Sequence, residues 1–175
     1  MDECATHTSM TRLYARAPKG ERVYGKVPRN RGKNTTLLAS MTSGGMGPCL
    51  AVEGATTMVV FETYVEQVLA PSLRPGQVVI LDNLSSHKDE RVRQLIEGRD
   101  CSLLFLSLLF LPPYSPDFSP IEEAFSKIKA LLKKSAARTR GTLLEAIGRA
   151  ISAVTLEDAV GYFGHCGYLF AAQPS

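Results

Sequence analysis

Three acidic side chains stand where chemistry could use them: Asp2 at the start, Asp82 closing the apolar run QVVILD, and Glu122 opening a helix. In open α/β sheets, sites gather beyond the carboxyl ends of strands. Two or three carboxylates there suit Mg²⁺, a hard cation that takes oxygen ligands and keeps waters, with Mn²⁺ as the alternative. Two such ions can clamp the attacking and leaving oxygens of a phosphodiester displacement. Each carboxylate also has a plainer use. A strand-end Asp commonly makes a turn, and Ser119-x-x-Glu122 is equally a capping box, in which the acid reaches back to the N-cap amide.

The elements that must position these groups follow from pattern. In LPPYSPDFSPIEEAFSKIKALLKK (111–134), the proline-rich run forbids regular structure up to Phe118. Ser119 is a suitable N-cap and Pro120 a suitable first helical residue. Ile121, Phe125, Ile128 and Leu132 then form a buried face. Glu122, Ser126, Lys129 and Lys133 share a second stripe, a carboxylate at the positive helix end followed by ammonium groups. That stripe could hold a cation and then a phosphate backbone. Glu123 should pair with Lys127 as an ordinary i,i+4 ion pair.

Upstream, a polar, turn-like stretch is expected to about Gly20. Val23–Val27 and Thr35–Thr42 read as strands, the second closed by Gly44, Gly45, Gly47 and Pro48, with a short extended piece over 49–52. A helix starts at Thr56 or Thr57 and ends at Pro71. QVVILDN is a strand of the doubly buried kind. A helix follows, capped at Ser85 or Ser86 and ended by Gly98, then another apolar strand. Residues 142–153 and 156–163 read as helices. Strands alternating with helices predict an α/β sheet. Residues 102–106 and 107–111 are identical, SLLFL twice. A five-residue slip would turn every side chain to the other face, so one copy should be strand and the other loop. Because the PPYSP turn fixes the strand's exit, 107–111 is expected in the sheet.

At 175 residues, 45% hydrophobic and 21% charged, the chain predicts one domain over 1–175. It carries no apolar run long enough for a membrane span and no signal-peptide pattern, which predicts a cytoplasmic protein without a membrane partner. Four scattered cysteines lack metal or disulfide spacing. His7, His165, the Gly44–Gly47 run and Cys101 lack the partners that a metal site, a phosphate loop or a cysteine nucleophile needs. Eight basic residues, including Arg29, Arg31 and Lys33, crowd residues 12–33 against the single acid Glu21. A second cluster runs through Lys127, Lys129, Lys133, Lys134, Arg138 and Arg140. A solvated face explains many such runs, yet two on one small domain make nucleic acid the leading partner.

VVILDNLSSHK, followed by LFLPPYSPDFSPIEEAFSKIK, resembles the second and third blocks of the DDE transposases of mariner-like bacterial insertion sequences. MDECATHTSMTRLYARAPKGERV resembles the first block. The resemblance implies a ribonuclease-H-like mixed sheet flanked by helices, with the first strand truncated and the upstream helix-turn-helix region absent. It implies Asp2, Asp82 and Glu122 as catalytic metal ligands for Mg²⁺ (or Mn²⁺), with Asn83, His87, Pro113 and Tyr114 supporting them. The implied activity is metal-dependent DNA cleavage and strand transfer, with DNA and a second copy as partners. Arg29, Arg31, Lys33, Lys129 and Lys133 would contact DNA. Thirty-nine residues separate Asp82 from Glu122, and removing one SLLFL copy leaves 34, the usual spacing of the family. The rival expectations are a catalytically silent remnant that binds nucleic acid non-specifically, and a ribonuclease-H-like nuclease that cleaves without joining.

Overall fold

In the computed structural model, which describes residues 1–30, 32–81, 90–105 and 119–168, strand β1 is Asp2–Thr6. The turn-like stretch expected after Glu3 therefore begins only after Thr6. Each residue of β1 finds an antiparallel partner on β2 (Thr35–Thr42), from Asp2 opposite Ala39 to Thr6 opposite Thr35. β2 has the bounds that its β-branched run predicts. Its other edge pairs with β3 (Gly45–Glu53).

Gly44, Gly45, Gly47 and Pro48 do not simply close β2. Gly45, at φ +119°, opens β3 after a tight turn, and Gly47 and Pro48 already lie in that strand. A Cβ on Gly47 would sit 2.3 Å from Ser40 Oγ, so glycine permits this close approach. Pro48 is tolerated where the register shifts between Ala39 and Met41.

Val23–Val27 is not a strand. Both edges of β2 are already taken, and Val23, Tyr24 and Val27 are exposed, Tyr24 at 84%. Alternating apolar residues make a strand only where a sheet edge and a core await them. Residues 11–30 instead form an irregular, largely exposed arm. Its base is held by Arg138, which donates to the carbonyls of Thr8 and Met10, both at 3.0 Å.

β4 (Val78–Leu81) and β5 (Ser102–Phe105) run parallel, Val78 level with Ser102 and Leu81 with Phe105. The first SLLFL copy is therefore the strand, against expectation; residues 107–111 lie outside the described residues. The turn leading into β5 holds this register through three bonds. Gly76 N donates to Asp100 O (2.8 Å), Ser102 N to Gln77 O (2.9 Å), and Cys101 Sγ to Arg74 O (3.1 Å).

Helix α1 (Met58–Tyr64), capped by Thr57, continues through a π-helical segment, Val65–Leu69, into a 3₁₀ turn containing Pro71. α2 (Glu90–Glu97) packs Val92 and Ile96 inward; the cap expected at Ser85 or Ser86 lies outside the described residues. α3 (Pro120–Ser135), α4 (Arg140–Ser152) and α5 (Leu156–His165) complete the described chain. Cys4, Leu37 and Ala39 face α3 and α4 in one core; Leu38, Val79, Leu81 and Leu103 face α1 and α2 in another. Helices thus cover both faces of the strands. The strands form two sheets, β1-β2-β3 and β4-β5, and Met1 N donates to Ile80 O at 2.7 Å between them. Among the described residues, no helix is long and apolar enough to cross a membrane.

Candidate active site

Side chains alternate along β1. Cys4, 2% exposed, packs among Ala124, Phe125 and Ile128 of α3, which puts Asp2 on the same face. Met1 joins the core beneath α1, and Glu3, opposite Leu38, shares that side. One oxygen of Asp2 accepts from the Glu3 amide at 2.7 Å. Burial pushes the Cys4 thiol up; the Lys129 ammonium, hydrogen-bonded to it, pulls the other way, and the Asp2 charge raises it. Asp2, Cys4 and Lys129 therefore form one electrostatic neighbourhood.

Glu122 lies on that stripe two turns before Lys129, about 10 Å along the helix axis. It sits exposed in the first turn of α3, and α3 packs on β1. The helix starts at Ser119, whose carbonyl accepts from Glu122 N at 3.0 Å, but the Ser119 hydroxyl makes no capping bond. The serine half of the expected capping box is thus absent. Complete boxes occur instead at Thr139–Thr142 and Thr155–Asp158. Two of the three expected ligands are therefore placed on elements that pack together. Asp82, Asn83, His87, Pro113, Tyr114 and Arg31 lie outside the described residues.

Glu123 does not pair with Lys127. α5 packs along α3 and supplies closer partners: Glu123 bonds His165 Nδ1, and Lys127 bonds Asp158. The Lys127 ammonium, with the Thr155 amide, holds the Asp158 carboxyl at about 2. Neighbours also claim part of the basic clusters. Lys33 and Arg140 both bind Glu53 at 2.7 Å, and Arg138 anchors the arm. Lys133 and Lys134 make no ion pair among the described residues, and Arg29 is exposed.

Sequence reasoning missed Glu3. Its Oε2 is buried without a hydrogen-bond partner, as is Thr56 Oγ1. Only the strand period, which sends Glu3 to the face opposite Asp2, hints at this. The donor chemistry fits a hard divalent cation: Asp2 and Glu122 offer carboxylate oxygens, and burial pushes up the neighbouring Cys4 thiol. Among the described residues, no three His, Cys, Asp or Glu side chains group as a metal site. The third expected ligand, Asp82, is not one of those residues.

The family model of the DDE superfamily endonucleases matches residues 1–144. The chain belongs to that family. No curated protein matches this DDE endonuclease. Among solved structures, a pre-cleavage Mos1 transpososome superposes with a TM-score of 0.66 at 15% identity, over 94% of this chain and 51% of that one. The Mos1 mariner paired-end complex with Mn gives 0.61 at 15% identity, over 94% and 51%. The Mos1 transposase catalytic domain with Raltegravir and Mg gives 0.59 at 18% identity, over 77% and 71%. This DDE endonuclease shares their ribonuclease-H-like fold and spans about half the length of the transposase chains in the two DNA-end complexes.

Proposed function

We propose that residues 1–175 act as one catalytic domain of a transposase that cleaves DNA and transfers the cut strand, working in the cytoplasm on DNA of its own element. The observation that carries this reading is the placement of Asp2 and Glu122 on two packed elements of a DDE-family chain. Asp82 supplies the third carboxylate in this proposal. Met1 N bonds Ile80 O, and in sequence Asp2 directly follows Met1 while Asp82 directly follows β4, which supports this reading. Asn83, His87, Pro113 and Tyr114 support that site.

Asp2, Asp82 and Glu122 would hold Mg²⁺, replaceable by Mn²⁺, which when bound activates water or a 3′-hydroxyl and stabilises charge on the scissile phosphate. The protein's own part is positional. Asp2 is oriented by the Glu3 amide, and Glu122 is presented by the rigid start of α3. Lys129 and Lys133 run down the same helix face to receive the phosphate backbone, while Arg29, Arg31 and Lys33 meet it from the arm. Two copies on paired DNA ends complete the reading. The four free cysteines suit a reducing compartment.

The test is nicking and strand transfer of plasmid DNA with Mg²⁺ or Mn²⁺, alongside metal titration by calorimetry. Asp2→Asn, Asp82→Asn and Glu122→Gln should each abolish nicking and weaken metal binding while leaving the melting temperature near wild type. Cleavage without joining would favour a plain nuclease. Metal-independent DNA binding with no cleavage would sink the catalytic reading and leave a non-catalytic binder.

A further inference from the structure

Two stretches of the exposed arm follow one pattern. Arg12-Leu13-Tyr14-Ala15-Arg16 and Arg22-Val23-Tyr24-Gly25-Lys26 each run cation, aliphatic, tyrosine, small residue, cation. Between them lies a tight turn: Glu21 N donates to Pro18 O at 3.1 Å, and Gly20, at φ +93°, takes the left-handed position of that turn. The turn puts one copy of the pattern on each leg of the arm. Arg138 holds the start of the first leg through Thr8 and Met10, and past the second leg Lys33 shares Glu53 with Arg140. Every residue from 12 to 27 is exposed, Tyr14 at 90% and its neighbour Leu13 at 72%. Among the described residues, neither tyrosine nor any of the four flanking cations has a hydrogen-bond or ion-pair partner. Packing within the chain therefore gives these two rings no role. Glu21 is the single acid of this stretch, so the charge around both rings suits a polyanion.

We propose that the arm binds single-stranded DNA, each tyrosine stacking on one base while the cations two residues to either side hold the adjacent phosphates. Stacking on an aromatic ring needs a free base face, which an unpaired strand offers and a duplex hides between neighbouring pairs. The hydroxyl is not required, because the ring provides the contact. The assignment rests on the reading of the chain as a DNA-cleaving domain, and it names the form of DNA that the arm takes: bases that lose their partners when a duplex opens beside a cut.

The experiment follows the anisotropy of a short fluorescein-labelled oligothymidylate titrated with the full chain, beside an abasic strand and a duplex of the same length. It is run in EDTA, where metal-dependent cleavage is silent, so its result is separate from that of the nicking assay. The oligothymidylate should bind more tightly than either control. Tyr14→Ala and Tyr24→Ala should each weaken its binding about tenfold. The melting temperature and the slope of log K against log salt should stay at their wild-type values, and the phenylalanine variants should bind like the parent. Arg22→Gln should instead reduce that slope by roughly 0.7. The chain has no tryptophan, so tyrosine emission should be quenched on binding, and less so in each alanine variant. Equal binding of the abasic strand, tighter binding of the duplex, or undiminished binding by the alanine variants would each overturn the proposal. So would a dimer of the free protein that Tyr14→Ala dissociates with oligothymidylate affinity intact, a result that would give the arm to a second copy of the chain.

Discussion

Lys129 touches two stories at once, a buried thiol and the face that bears Asp2 and Glu122. Its charge is half-buried, whereas Lys33 is 82% exposed and already bonded to Glu53. Loss of Lys133, which makes no ion pair among the described residues, should lower DNA affinity and reduce the slope of log K against log salt by roughly 0.9. Lys33→Ala should change that slope less; filter-binding titrations across salt concentrations separate the two. Asp158 gives a pH prediction. Its carboxyl is held at about 2 against an ordinary 3.8, so its contribution is full above 3.8 and is lost as pH falls toward 2. Acid titration of stability should therefore be shallower in Asp158→Asn over that window, and α5 resonances should lose their shift there.

α3 delivers Glu122, so its anchoring decides the site. Phe125, 4% exposed, packs against Cys4 and its neighbours; Phe125→Ala should cost about 3–5 kcal/mol in urea unfolding. The helix ends at Ala136 with φ 49°, the left-handed region that glycine enters freely. Ala136→Gly should raise stability by up to about 1 kcal/mol. Thr139→Ala breaks the capping box of α4 and should cost about 1 kcal/mol. The helical faces of α3 were legible because Ile121, Phe125, Ile128 and Leu132 repeat at the helical period, and all four are buried. Its electrostatics were not. Glu123 and Lys127 choose partners on α5, and no local spacing encodes which helix will pack beside them.

For the whole molecule, the alternation of strands and helices predicted an α/β sheet, and the carboxylates Asp2 and Glu122 could be picked out by type and place. What escaped prediction was competition for edges. Val23–Val27 has strand composition but stays exposed and joins neither described sheet, and the two SLLFL copies are indistinguishable to any rule that reads residues alone. Deleting either copy produces the same polypeptide, and in it one SLLFL must serve both the Cys101 turn and Pro112. Hydrogen exchange should find the β5 amides as protected in that shortened chain as in the parent, because the turn leading into β5 holds their register. Loss of β5 protection would show that the downstream copy also contributes to the register.

The turn at Asp100 and Cys101 also has a consequence for biosynthesis. A polypeptide leaves the ribosome from its N-terminus, and domains fold as they emerge. Gln77, Arg74 and Gly76, the groups that grip that turn, are already outside when the first SLLFL appears. The first copy emerges to the waiting edge of β4 ahead of the second, so order of emergence and native register favour the same segment. A duplication that offers β4 two identical candidates is thus met in a fixed order, the first copy first.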